Sequence, residues 1–278
     1  MMHKLWLITN PHSGSSDAQK AEAIVAVCIE AGLEMVGRTD FPDDTLPKPA
    51  ALDKAGADTV LLFAGDGTIN AAVCALAEWD GAILILPGGT MNMLARMLHE
   101  SLDPAEIVGL AHAAGKRIAL PYVEAGPHRA LVGLILGPAA SWYRAREIVR
   151  KGKIKGLFAS MRGAWRRTFG HGIRVTGAPG LTHHAQAVLV RADADGLEVA
   201  AIDARDFRAI AELGWSWMTG DWVAARSVTE VRATELRIAE KKPVLALFDG
   251  EPIDLAPGTT IATGRTGKQF IATRKDAP

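Results

Sequence analysis

The sequence has few cysteines, no net charge and no long apolar run, and each shortage excludes something. Cys28 and Cys74 are the two cysteines among 278 residues. They make no disulfide framework, and each sits in an apolar helical pattern, so both are expected to be buried, reduced thiols. Lys and Arg number 31, as do Asp and Glu, so the total charge argues neither for nor against an anionic partner. No apolar run approaches the ~18 residues of a membrane-crossing helix. The first apolar stretch, residues 5–8, is too short for a secretory leader and reads as a strand, which leads to the expectation of a cytoplasmic chain. G-x-x-x-x-G-K-[ST] occurs nowhere, and no G-x-G-x-x-G follows the first strand. A P-loop is therefore excluded and a dinucleotide fold disfavoured. No internal repeat or low-complexity tract is present.

What is present is a rhythm. Apolar residues make up 49% of the chain, enough for one large domain or two modest ones. Residues 4–9 read as a strand broken by Asn10-Pro11-His12-Ser13-Gly14, and Ser16 with Gln19 forms a capping box for a helix to about residue 31. Strands follow at 33–39, 58–63 and 82–86, with helices between them and at 91–98 and 104–114. This alternation implies a parallel sheet flanked by helices. After Lys116 the texture changes to short strands with turn signals, interrupted by helical stretches at 141–169 and 205–213. The expected organisation is α/β: an N-terminal parallel-sheet nucleotide-binding domain, 1–116, and a C-terminal β-rich, antiparallel sandwich-like domain, 117–278. A last strand near 269–273 is expected to return to the first domain.

The stretch VLLFAGDGTINAAV, residues 60–73, runs a buried strand into Gly65-Asp66-Gly67-Thr68 and at once into a helix. In open α/β sheets ligands bind beyond the carboxyl ends of strands, where small residues let backbone N–H groups close on a phosphate at a helix N-terminus. Asp66 repels a bare phosphate, but it can act through Mg²⁺ or accept a proton from a hydroxyl. Thr68 can cap the helix or bond a phosphate oxygen. Alone, the four residues are equally well an ordinary turn with a helix cap. Three such loops occur, however: residues 10–14, 65–68, and the loop in LPGGTMNMLAR, residues 86–96.

NPHSG, AGDGTINAAV, LPGGTMNMLAR, ADADGLEVAAI and FDGEPIDL stand in the order seen in the diacylglycerol kinase catalytic-domain family, which includes sphingosine kinases and bacterial soluble lipid kinases. The chain resembles that family over nearly its whole length. The resemblance implies an α/β nucleotide domain, a β-rich lipid domain, ATP and Mg²⁺. It also implies nucleotide-binding roles for Asn10, Gly14, Thr39, Gly65, Asp66, Gly67, Thr68, Asn70, Gly89, Thr90 and Asn92, with Ala64 in place of the first Gly of the family's GGDGT loop.

The same resemblance makes FDGE the catalytic element, with Glu251 as proton acceptor and Asp249 and Asp66 beside it in the catalytic set. Asp249 and Glu251 are two apart, so on one strand they would face the same way. Read from the residues alone, Asp-Gly between two apolar runs is a hairpin signal, and the two readings are compatible. Phosphoryl transfer needs positioning and charge stabilisation, and no covalent intermediate on the protein. Three positions depart from the family pattern: Ser15 where many relatives have Lys or Arg, Met93 where Asp is common, and Ala192 where the structural metal loop has its first acid. Asp195 and Leu197 fit that metal loop, with Asp193 as the substitute for the missing acid.

Ten of the 31 basic residues and one of the 31 acids, Glu147, fall in 141–175, interleaved with Trp142, Tyr143, Phe158, Trp165 and Phe169. A basic aromatic helix suits an anionic membrane surface, which places the enzyme as peripheral to the inner face of the membrane beside a lipid substrate. A solvated basic face over core aromatics reads equally well, and no nucleic-acid motif accompanies the charge. The three Trp of 213–222 fit either an acyl-chain pocket or the β-domain core. His183-His184 has no third ligand nearby and reads as a turn. The sequence therefore points to an ATP-dependent lipid kinase acting on a hydroxyl of diacylglycerol, a sphingoid base or a similar lipid. A soluble NAD kinase-like enzyme and a non-catalytic nucleotide- or lipid-binding regulator are the alternatives.

Overall fold

The computed structural model describes residues 2–12, 18–89, 92–137, 172–181, 184–202 and 228–277. The chain divides into two compact units: Met1–Leu120 with Arg265–Pro278, and Pro121–Gly264.

In the first unit the strand order is β2 (Glu34–Asp40), β1 (Lys4–Thr9), β3 (Thr59–Ala64), β4 (Ala82–Pro87) and the end of β15 (Thr260–Ala272). Every neighbouring pair is parallel. All residues of β3 and β4 are buried, and their unbroken apolar runs are what a strand covered on both faces requires. Leu5, Leu7, Leu61, Phe63, Leu84 and Leu86 pack with Ala21, Ile24 and Cys28 of α1 (Ala18–Glu30) and Ile107 and Val108 of α5 (Pro104–Ala114). Each fully buried Leu or Phe of this kind contributes about 1.5–3 kcal/mol. Helix α5 starts where it does because Pro104 follows Asp103, whose carboxylate accepts from the N–H groups of Ala105 and Glu106 at 2.8 and 3.2 Å.

Three shorter helices complete this unit: α2 (Pro49–Ala55), α3 (Asp66–Ala75) and α4 (Met93–Leu98). One expectation fails here. Cys28 is buried but Cys74 is exposed. Helix α3 buries Thr68, Ile69 and Ala72, and Cys74 lies off that stripe. Because the strands are parallel, the carboxyl ends of β1, β3 and β4 share one edge, and the three glycine-containing loops leave from it.

The second unit carries an antiparallel sheet in the order β11 (Val228–Ala233), β10 (Leu197–Ile202), β9 (Ala187–Ala192), β7 (Leu134–Leu136), β13 (Val244–Phe248), β14 (Glu251–Leu255). Strand β12 (Glu235–Ile238) pairs antiparallel with β8 (Val175–Thr176) and with the start of β15. Strands β5 (Lys116–Ala125) and β6 (His128–Ala130) form a hairpin. Burial alternates along β12, the period-two signature of a half-buried strand. The α/β fold class with a separate antiparallel sheet is thus the architecture observed. The helical stretches expected at 141–169 and 205–213, the tryptophans of 213–222, most of the basic segment, Ser16, Gly14, Thr90 and His183 lie outside the described residues. Among the described residues no helix is long and apolar enough to cross a membrane.

Candidate active site

The loops after β1, β3 and β4 are tied to one another through side chains that the sequence marks as candidate ligands. Gly65 is the N-cap of α3 and brings no side chain to its first N–H groups. Gly88 and Gly89 lie against the preceding loop: a Cβ on Gly88 would stand 2.7 Å from the Ala64 nitrogen, and one on Gly89 2.7 Å from the Gly65 Cα. Only glycine allows this backbone-to-backbone approach. Asn92 takes a left-handed φ of 50° and its Oδ1 accepts from the Gly89 N–H at 2.7 Å. Asp66 reaches across to α4, where its Oδ1 accepts from the Met93 N–H at 3.0 Å.

Asp66 therefore caps the helix that follows the other loop. Burial raises its carboxyl above the usual range, against backbone N–H groups of Met93, Asp66, Asn92 and Leu94 that pull it down. The departure at Met93 acquires a reason: the contact uses its backbone N–H, and its side chain is buried.

Asn10 acts in the same way. Its Nδ2 donates to the Thr68 hydroxyl at 2.8 Å, and its Oδ1 accepts from the His12 N–H at 2.9 Å. Since the Thr68 oxygen accepts from Asn10, its O–H is aimed elsewhere as a donor. Thr39 is held by a residue that no motif singles out. The Trp6 Nε1–H donates to Thr39 Oγ1 at 3.0 Å, and the indole lies over Gly37, where a Cβ would stand 2.3 Å from the ring. Asn70 lies half-buried on α3.

Behind this cradle sits His99, buried at the end of α4. Its Nε2 is 3.0 Å from the Ile85 carbonyl and its Nδ1 2.9 Å from Thr273 Oγ1. A carbonyl only accepts, so Nε2 carries the hydrogen and Nδ1 accepts from the threonine. Burial drives its pKa down to about 4, with the Ile85 carbonyl opposing. The ring is a neutral fixture joining β4, α4 and the C-terminal segment.

In the second unit Asp249 and Gly250 form a two-residue hairpin loop, φ 48° and 91°, with Phe248 paired to Glu251. Both loop residues take positive φ, the geometry that favours Asp-Gly. The two acids therefore do not share a strand, as their spacing allowed; one is in the turn and the other begins β14. Asp249 Oδ2 accepts from the Leu131 N–H at 2.8 Å, and Oδ1 from the Val132 and Gly133 N–H groups, both at 2.9 Å. The Asp249 N–H returns the bond to the Gly133 carbonyl at 3.1 Å. Glu251 is exposed, and among the described residues no hydrogen bond or ion pair engages its carboxylate. Asp249 is thus a clamp on the loop after β6, and Glu251 is the acid left available. The donors on Asp249 are backbone groups, which no side-chain pattern announces.

The expected metal loop, between β9 and β10, is organised otherwise. Asp193 Oδ1 accepts from the Asp195 N–H at 2.8 Å, while Arg232 Nη2 stands 2.6 Å from Asp193 Oδ2 and its Nη1 3.8 Å from Asp195 Oδ2. Leu197 is fully buried at the start of β10. Partial burial opposes ionisation of Asp193, but the Asp195 N–H and Arg232 hold it below the usual carboxylate range. A guanidinium already faces both acids, so Asp193, Asp195 and Leu197 do not fit a divalent cation. Among the described residues no group of three His, Cys, Asp or Glu converges as a metal site.

Residues 4–121 match the family model described as the diacylglycerol kinase catalytic domain, which bears out the resemblance over that stretch. The chain is similar in fold to a crystal structure of a diacylglycerol kinase from Bacillus anthracis str. Sterne, with a TM-score of 0.68 and 17% identity over 100% of this chain and 99% of that one. Two further structures from the same bacterium are similar. One has a TM-score of 0.66 and 18% identity over 100% and 99% of the two chains. The other has a TM-score of 0.63 and 20% identity over 98% and 97%. No curated protein sequence matches the chain.

Proposed function

We propose that this protein is an ATP-dependent lipid kinase that transfers the γ-phosphoryl group to a hydroxyl of diacylglycerol, a sphingoid base or a similar lipid. The observation that carries the reading is the cross-tied pair of loops, in which Asp66 caps α4 and Gly89 rests on Gly65, inside residues that match the diacylglycerol kinase catalytic domain. When bound, Mg²⁺-ATP supplies the phosphoryl group and a cation to neutralise its charge. Asp66 is committed to backbone donors, so the loops offer hydrogen-bond donors for phosphate, and Mg²⁺ would arrive with the nucleotide. The N–H groups of the first turn of α3 would hold phosphate oxygens. The Thr68 and Thr39 hydroxyls, each with its oxygen already accepting, would donate. Glu251 would take the proton of the acceptor hydroxyl, and Asp249 would fix the turn that carries it. The basic segment 141–175 would hold the protein to an anionic membrane surface where the lipid resides.

The test is transfer from labelled ATP with Mg²⁺ to a panel of lipids in mixed micelles, with NAD as a separate soluble acceptor. Label in an organic-phase product is the expected result and names the acceptor class. Label on NAD alone would replace the lipid reading with the NAD kinase reading. ATP binding with no transfer to any acceptor would favour the non-catalytic regulator.

A further inference from the structure

The loop between β9 and β10 carries two acids on a tight turn, with the Asp193 N–H donating to the Gly196 carbonyl at 3.0 Å and Gly196 at φ 142°. A positive charge facing both carboxylates relieves their mutual repulsion, and the family the sequence resembles implies a metal ion there. Here the position of the first metal-loop acid is Ala192, while Arg232 on β11 reaches the turn. Strand register explains the reach. Leu197 is paired with both Ala192 and Ala233, and Glu198 with both Arg191 and Arg232. Directly paired residues project from the same face of a sheet. Arg191, Glu198 and Arg232 therefore form a row of alternating charge across three strands. The last of them ends at the turn, 2.6 Å from Asp193 and 3.8 Å from Asp195.

We infer that Arg232 is a built-in replacement for a structural cation, so that this loop is closed by the chain itself and the fold of the second unit is independent of divalent metal. The chemistry is a substitution of charge. A planar guanidinium offers fixed N–H donors to two carboxylates on a turn, and while it faces both acids its charge repels a divalent ion from them. The loss of an acid at Ala192 and the presence of Arg232 act together, since a third carboxylate would leave the site with excess negative charge under a monovalent partner. This inference concerns the stability of the second unit and does not rest on the proposed kinase activity.

The test is thermal unfolding of the nucleotide-free full chain, native and Arg232→Gln, in chelator and in millimolar Mg²⁺, Ca²⁺ or Mn²⁺. The native melting temperature is expected to be the same within about 1 °C in chelator and in metal. Arg232→Gln is expected to melt roughly 1–3 °C lower in chelator, the scale of an exposed ion pair, and to regain that loss in metal, because the two acids are then left unneutralised. Asp193→Asn controls for metal bound elsewhere. A native chain that is stabilised by metal, with Asp193→Asn abolishing the effect, would overturn the inference. So would an Arg232→Gln chain that melts at the native temperature in chelator. Neither result would bear on whether ATP is bound or phosphate transferred.

Discussion

The loops of the first unit and the hairpin of the second treat their polar side chains differently. In the first unit they turn inward on the protein: Asp66 to the Met93 N–H, Asn92 to the Gly89 N–H, Asn10 to the Thr68 hydroxyl, His99 to Ile85 and Thr273. In the hairpin, Asp249 is likewise committed to three backbone donors, but Glu251, two residues on, is exposed. The lesson concerns labour. A phosphate cradle works through backbone N–H groups, so its side chains are best used to hold loops still. A proton acceptor must itself reach the substrate, so it has to be left without an internal partner.

Among effects on folding and nucleotide affinity, the largest is expected at Asp249. Asp249→Ala leaves three backbone donors without their acceptor, and stability measured by urea unfolding should fall by about 3–4 kcal/mol. Asp249→Asn keeps one acceptor oxygen and should lose about half as much. Equal stability of all three chains would show that Asp249 is no clamp.

His99 gives a pH signature of similar size. Its folded pKa, about 4, lies below its ordinary 6.5, so the folded protein binds fewer protons than the unfolded chain across that window. Its contribution is therefore lost as pH falls from about 6.5 to 4, by roughly 3 kcal/mol. His99→Gln should flatten that slope in unfolding curves recorded across the window. Asp66 acts with the opposite sign: its raised folded pKa gives a contribution that is lost as pH rises through the folded value.

Removal of the cap should matter less. Asp66→Ala uncaps α4 and is expected to cost about 1–2 kcal/mol of stability and to weaken ATP binding about tenfold. Asp66→Asn retains an acceptor for the Met93 N–H and should bind within about threefold of native. Calorimetric titration with ATP separates the two, and equal loss in both would return a direct role to the charge. The smallest effect is expected at Trp6. Phe in its place keeps a ring over Gly37 but loses the N–H that orients Thr39. The KM for ATP should rise about three- to tenfold with kcat within about twofold, the scale of one neutral hydrogen bond. A fall in kcat at unchanged KM would contradict a positioning role.

Much of this was legible in residue order because strand-to-helix loops on a parallel sheet announce themselves. Apolar runs such as 60–64, stopped by glycine, mark both a buried strand and the loop at its carboxyl end. The hairpin at 249–250 was legible as Asp-Gly, and so was the switch to antiparallel texture after Lys116. Long-range partners were not. Nothing near Asp249 signals that its donors are the N–H groups of 131–133. Nothing near Thr39 points to Trp6, 33 positions earlier in the chain. Arg232 reaches Asp193 only because two strand registers bring it there. Backbone donors carry no sequence signal at all, and register is set by the whole sheet.

The division between fixed and available acids is tested most directly by Glu251→Gln, assayed beside the native chain for phosphate transfer from labelled ATP to the best lipid acceptor, with urea unfolding and ATP titration on the same samples. Transfer is expected to fall by about 10²–10⁴-fold, with stability changed by less than about 0.5 kcal/mol and ATP affinity unaltered. Native-level transfer by Glu251→Gln would contradict the account, because the acid left available beside the Asp249 turn would then do no chemistry.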